Sequence, residues 1–401
     1  MRVKKMQDAG GKFRGARFQW MDGVKGFAVL WIALYHCLMA YGYGKIPWPI
    51  TLGSFGEFLA SGPQGSTLAK LLHAAEGILA AIIQRGPQAV GVFILFSGFG
   101  LTFSLVKRGS SKPPWTTWYN RRLTRLFPVY WVAHLIFLVS PFTVIHGNID
   151  YRFLLSFLGD RVLPIDKLFF YLVPAWWYMG LLIELYIFYP LLFTLMERMG
   201  WLKYLLLCIV LSTASRFILN DILKANGYYE MGGFFVCRLW EFAAGMALGK
   251  LLAEKPEWTL QRLLSWQWLV AGIIIYLLGG YCNRPDFLYF FSDGLITMGL
   301  AAMLIHLAYL FERIPGLGKA LAKTGVYSYS IYLMHQPYVI YVGRMIRYAS
   351  LGVFLAIACA LTLFIALGSI AMEYGVNRAV DRISTWLRRE DKNGLCLSKK
   401  S

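Results

Sequence analysis

Acidic residues are scarce in this chain. Only 21 of its 401 positions are Asp or Glu, against 40 Lys or Arg, and charged residues of both signs make up 15%, where a soluble domain carries roughly 25%. So little charge, beside 58% hydrophobic residues and a mean hydropathy of +0.52, excludes a water-soluble globule, which cannot hide that much apolar surface. Disordered and fibrous chains are excluded with it. Cysteine is also sparse. The six, at 37, 208, 237, 282, 359 and 396, are scattered mostly through apolar runs with no CxxC spacing, so neither a disulfide framework nor a metal site is expected. No P-loop, GxSxG, HExxH or dinucleotide-binding fingerprint occurs, which argues against ATP-driven phosphoryl transfer, zinc hydrolysis and a nucleotide fold.

What the chain has instead is long apolar runs. They lie near 24–43, 87–106, 126–145, 170–194, 203–220, 232–249, 264–281, 287–310, 326–343 and 350–374, each long enough to cross a bilayer as a helix. The expected fold is an all-α polytopic membrane helix bundle of about ten transmembrane helices. Several runs contain Gly or Pro, which neighbouring helices can accommodate. The formal charge of +19 would suggest nucleic acid on a soluble protein; here it marks cytoplasmic loops, and the bilayer rather than nucleic acid is the expected partner. With the N-terminus inside and the runs alternating, inside segments hold 27 Lys and Arg and outside segments 12, so both ends are expected in the cytoplasm. A basic stretch from Arg2 to Arg17 precedes the first run without a small-x-small cleavage site, which reads as an uncleaved first span. The chain thus divides into a basic cytoplasmic segment at 1–20, an integral-membrane domain at 21–376 and a basic cytoplasmic tail at 377–401, loose from about 382. An amphipathic helix at 66–84 is expected to lie on the membrane surface.

Ionisable groups inside a bilayer are costly and therefore candidates for function. Lys25 stands at the mouth of the first run, beside Asp22, and His36 lies eleven residues on. Eleven helical steps return to within roughly 20° of the same face, about 16 Å further along the axis. That separation is close to the reach of an extended pantetheine arm. A buried histidine bonded to a neighbouring carbonyl is the competing reading. Arg122 and Arg125 are three apart and share a helical face; they suit phosphate or simply anchor a helix start. Glu184 sits mid-run between Trp177 and Phe188, as a base, an orienter of His36 or half of a structural pair. Ser328, Ile331 and His335 share a face, with Pro337 just beyond as a candidate kink. Arg238 and Glu241, also three apart, can pair with each other. His73, His134, His146 and His306 have no companion motif.

Six stretches in order carry a resemblance. They are Met21-Asp22-Gly23-Val24-Lys25-Gly26 through Tyr35-His36; Val92 to Phe99; Arg121 to Tyr130; Trp177 to Tyr189; Arg238 to Met246; and Tyr327 to Pro337. Together they resemble the acyltransferase 3 family of integral-membrane acyltransferases. The resemblance implies about ten spans, acyl-CoA (most simply acetyl-CoA) as donor substrate with no bound cofactor, and a carbohydrate or other hydroxylated acceptor. It also implies an essential histidine ten residues after a basic residue, which maps onto His36 and Lys25, and an Arg-x-x-Arg pair, which maps onto Arg122 and Arg125. The basic residue is usually Arg in the family, so at Lys25 a point charge replaces a planar fork. The donor is then expected near Lys25, Arg122 and Arg125. His36 acts as general base or accepts the acyl group itself, and Asp22, Glu184 and His335 orient it or handle protons. The membrane expected is a bacterial cytoplasmic (inner) one. A small-molecule or glycan-precursor transporter with half-broken helices is the reading from another class.

Overall fold

The computed structural model describes residues 19–42, 45–63, 65–109, 114–142, 149–283 and 288–398. Nearly all of the expected basic N-terminal segment, and His146, lie outside the described residues.

Among the described residues the chain is all-helical, with no strand. The helices that concern the site are α1 (Gln19–Gly42), α2 (Leu52–Ala60), α3 (Thr67–Ile83), α4 (Ala89–Val106), α5 (Trp115–Val139), α6 (Tyr151–Phe157), α7 (Trp177–Met199), α8 (Trp201–Phe217), α9 (Leu239–Glu254), α10 (Pro256–Leu263), α11 (Trp266–Cys282), α12 (Tyr289–Phe311), α13 (Leu317–Val326), α14 (Ser328–Met345) and α15 (Leu351–Ser398). Every expected apolar run contains a helix. Seven helical stretches are long and apolar enough to cross a membrane, or eight when α10 and α11, bent by 60° where they meet, count as one. Of the ten expected, α9 and α14 fall outside that number. α9 has only 16 residues, and α14 carries Tyr, Ser, His and Gln along a largely buried surface. Both lie inside the bundle, where polarity is satisfied by protein rather than lipid. The stretch expected to lie on the membrane surface forms α3, capped by Ser66, and with α4 it belongs to one apolar stretch, Thr67–Val106, long enough to cross a membrane. Its Leu68, Leu71, Leu72, Ile78, Leu79 and Ile82 are exposed. A loose tail is not seen up to Ser398, because α15 continues through it; that stretch has no proline and a single glycine, Gly394, so nothing in it stops a helix.

Two helix crossings set the frame. At the α4–α9 crossing a Cβ on Gly245 would lie 1.8 Å from the Leu95 carbonyl oxygen, and one on Gly98 would lie 2.2 Å from that of Phe242. At the α1–α13 crossing the equivalent distances are 1.9 Å from Gly26 to the Leu321 oxygen and 1.7 Å from Gly325 to that of Asp22. In lipid there is no hydrophobic drive to bring helices together, so close backbone approach at small residues does the work. α1 is thereby seated against α13 near Lys25, while further along it packs on α14, where a Cβ on Gly343 would meet the Cys37 oxygen at 2.7 Å.

α14 runs unbroken through Pro337. Proline has no N–H for the carbonyl four residues back, which belongs to Leu333. The indole Nε1–H of Trp176 donates to that carbonyl instead, at 2.9 Å. Beside it the Ala175 N–H donates to the Gln336 side chain at 2.6 Å. The 3₁₀ turn Pro174–Trp176 that leads into α7 is thus fastened to the middle of α14.

Gly245→Leu forces the α4–α9 backbones apart and is expected to destabilise the protein by at least about 1–3 kcal/mol. Gly375→Ala, where an added Cβ meets nothing within 4 Å, is expected to be neutral or to gain up to about 1 kcal/mol from helix propensity. Thermal unfolding in detergent checks the pair; equal midpoints for Gly245→Leu and the parent would contradict the crossing.

Candidate active site between two cavities

Two cavities enter the bundle. The first, of about 430 Å³, is lined by Lys25 from α1, Ser97 and Ser104 from α4, Arg122 and Arg125 from α5, Tyr178 and Tyr186 from α7, Ser328 from α14 and Glu373 from α15. The second, of about 720 Å³, is lined by His36, Gln88, Trp177, Arg216, Glu230, Arg238, Asp293 and Gln336, among others. They occupy opposite ends of the same helices. Along α1 the first takes Met21 and Lys25 and the second Ile32, Tyr35, His36 and Met39; along α14 the first takes Ser328 and Tyr329 and the second Gln336. Among the described residues Tyr332 alone lines both.

Lys25, Arg122 and Arg125 therefore converge on one cavity from two helices. Lys25 is held by Asp22 at 2.7 Å, one turn earlier on α1, with Asp22 buried. The Arg122 guanidinium lies over the Trp118 ring at 5.7 Å. Among the described residues neither Arg122 nor Arg125 makes an ion pair. A cavity bearing two guanidiniums without carboxylate partners is electrostatically suited to an anion such as phosphate.

His36 and His335, 299 residues apart in sequence but adjacent in space, form a dyad beside the second cavity, which His36 lines. His335 Nε2 lies 3.1 Å from His36 Nδ1. His335 Nδ1 faces the Tyr332 carbonyl at 2.7 Å, and His36 Nδ1 faces that of Ile32 at 3.0 Å. Carbonyl oxygens only accept, so each neutral ring carries its proton on Nδ1. His335 Nε2 is then a lone pair, and the His36 Nδ1–H is shared between it and the Ile32 oxygen. The nitrogen left over is His36 Nε2, on a residue that lines the second cavity. A basic nitrogen with its tautomer fixed by a backbone carbonyl and a second imidazole can take a proton or attack an electrophile.

Opposite the dyad the second cavity carries a charged cluster. Arg216 donates to Glu230 at 2.7 Å and to Asp293 at 2.8 Å. Arg238 pairs with Asp293 and, at 3.1 Å, with Glu241, the partner its spacing suggested. With Trp177, Phe170 and Tyr35 on the same walls, this end offers both aromatic faces and ionic hydrogen-bonding groups.

Of the residues singled out in the sequence, Lys25, Arg122 and Arg125 meet at the first cavity, Asp22 sits behind Lys25, and His36 meets His335. Glu184 lies apart from these and lines neither cavity. Its carboxylate accepts from the Phe235 N–H at 3.0 Å, which fastens α7 to the 3₁₀ turn Phe235–Arg238 that carries Arg238 into the second cavity. His73, His134 and His306 each bond to a backbone carbonyl of the fold. Sequence reasoning missed Arg216, Glu230, Asp293, Tyr332 and Glu373. Arg216 and Asp293 had a usable signal, each being a charge within an apolar run.

A family model described as an acyltransferase domain, Acyl_transf_3, matches residues 18–373. No curated protein and no solved structure matches the chain.

The cluster yields a stability prediction. Arg238→Ala strands the buried Glu241 carboxylate without its guanidinium and is expected to cost about 3–5 kcal/mol. Arg238→Met combined with Glu241→Leu removes both charges and is expected to recover most of that loss. Unfolding midpoints of the three proteins in detergent decide it; a double variant no better than the single would mean that Arg238 matters for another reason.

Proposed function

The chain belongs to the acyltransferase 3 family, which makes it an integral-membrane acyltransferase, and we propose that it moves an acyl group, acetyl in the simplest case, from acyl-CoA to a hydroxyl of a carbohydrate or glycan acceptor. One observation carries the reading: a cavity with Lys25, Arg122 and Arg125 meets, across a single residue, a cavity with a tautomer-fixed histidine. The excess of Lys and Arg on one side of the expected spans supports a reading in which the first cavity opens to the cytoplasm, where acyl-CoA is made, and the second to the opposite face of a bacterial inner membrane.

In this reading Arg122, Arg125 and Lys25 hold the phosphates of the coenzyme, and the pantetheine arm extends inward past Ser97 and Tyr178 toward Tyr332. The acceptor lies in the second cavity against the aromatic walls and the Arg216–Glu230–Asp293–Arg238 cluster. His36 Nε2 takes the proton of the acceptor hydroxyl. The oxygen forms its bond to the thioester carbon, the carbon–sulfur bond breaks, and the proton ends on the coenzyme A sulfur. His335 accepts from His36 Nδ1–H and so favours the imidazolium while the proton is held. The second cavity's charges, two guanidiniums and two carboxylates with Glu241 buried behind Arg238, suit a ligand rich in hydroxyls.

Two measurements test the two ends separately. Arg125→Ala is expected to weaken coenzyme A binding by about 1.5–3 kcal/mol, the range for a hydrogen bond to a charged group. Calorimetric titration of purified parent and variant reads it, and equal affinities would leave Arg125 as a membrane anchor. His36→Gln keeps hydrogen bonding but cannot take a proton. It is expected to lower the rate at which expressing cells acetylate their surface glycans by about 10²–10⁴-fold while binding coenzyme A as the parent does. Near-parent transfer by His36→Gln would make the histidine a packing residue.

A further inference from the structure

Tyr332 has an unusual position. It lies on α14 three residues before His335, and its backbone carbonyl is the acceptor that sets the His335 tautomer. Its side chain is 6% exposed, yet it lines both cavities. The ring is packed edge-on against Tyr178 of the first cavity, with centroids 5.5 Å apart, and stands 5.7 Å from the His335 ring. The neighbouring hydroxyls of Ser97 and Tyr178 face each other at 3.2 Å. The Tyr332 hydroxyl finds no acceptor for its proton among the described residues. A buried O–H left this way costs about 1–3 kcal/mol, and such a cost persists where a ligand supplies the missing acceptor.

From this geometry we propose that the Tyr332 hydroxyl is the donor to the acyl carbonyl oxygen, placed at the one point where the donor and acceptor cavities meet. The proposal rests on the acyl-CoA reading above. When the acceptor oxygen adds to the thioester carbon, the carbonyl π electrons move onto oxygen, and the Tyr332 O–H holds that developing charge. When the tetrahedral centre collapses, the electrons return, the carbon–sulfur bond breaks, and the thiolate leaves toward the first cavity. Tyr332 keeps its proton throughout. A preorganised donor at a developing oxyanion is the interaction that strengthens most between ground state and transition state. The ring serves a second end of the same contact: it closes the path between cavities, so the carbonyl is the deepest part of the donor.

The test uses full-length protein in detergent and two ligands, acetyl-CoA, which has the carbonyl, and coenzyme A, which lacks it. Tyr332→Phe retains the ring and removes only the hydroxyl. The expected result is a loss of about threefold to tenfold in acetyl-CoA affinity, the range of one hydrogen bond, with coenzyme A affinity unchanged. The infrared band of acetyl-CoA labelled with ¹³C at the carbonyl should lie lower when bound to the parent than when bound to Tyr332→Phe. Equal weakening of both ligands would make Tyr332 a packing residue and overturn the proposal, as would parent-like affinity for both with an unshifted band. A parent that binds neither ligand would instead overturn the acyl-CoA reading, and the proposal with it.

Discussion

The hydrogen bond from the Trp176 indole to the Leu333 carbonyl holds the rest of the arrangement in place. Inside a bilayer an unpaired backbone carbonyl has no water to turn to, and Pro337 creates one by withholding its N–H. Trp176 fills it, and Gln336 reinforces the joint by accepting from Ala175. The joint sets where α14 meets the start of α7, and Tyr332, His335 and Tyr178 sit within a turn or so of it. Glycine crossings then set α1 against α13 and α14, which brings Lys25 to one cavity and His36 to the other.

Each cavity has its own electrostatic character. The first has Arg122 over the Trp118 ring and Arg125 one turn further along α5, neither in an ion pair among the described residues, with the Glu373 carboxylate also on the wall. The second has its cations tied into a network with Glu230, Asp293 and Glu241. An anion has partners waiting in the first and must displace existing pairs in the second. A neutral, hydroxylated molecule can add hydrogen bonds to the network without breaking it. This difference supports the proposed assignment of coenzyme and acceptor to separate ends.

Much of the bundle was legible in the sequence because lipid demands long apolar runs, and every run expected contains a helix. The span count was less legible. α9 and α14 are short or polar because they face protein, and hydropathy cannot tell a buried membrane helix from a marginal one. The spacing of Arg122 and Arg125 put both on the wall of one cavity, since helical periodicity is local, whereas Lys25 and His36 line separate cavities along α1. The pairing of His36 with His335, 299 residues apart, depends on how α1 packs on α14 and is invisible to spacing. The same holds for Arg216 with Glu230 and Asp293. Glu184 drew attention as a charge among aromatics, yet its partner is a backbone N–H, a group that no residue pattern advertises.

The partition at Tyr332 also has a meaning for the membrane voltage. If the two cavities open on opposite faces, as proposed, the insulating layer is thin where Tyr332 separates them, and the potential across the bilayer would fall over a short distance there. Moving one elementary charge through the whole of that potential is worth about 2.3 kcal/mol per 100 mV. In the proposed reaction a neutral acyl group would cross the partition without feeling it. In the proposed transfer, a proton passing from His36 to a thiolate on the far side would travel through the same stretch as a charge, which would tie the reaction to the electrical gradient at a single tyrosine.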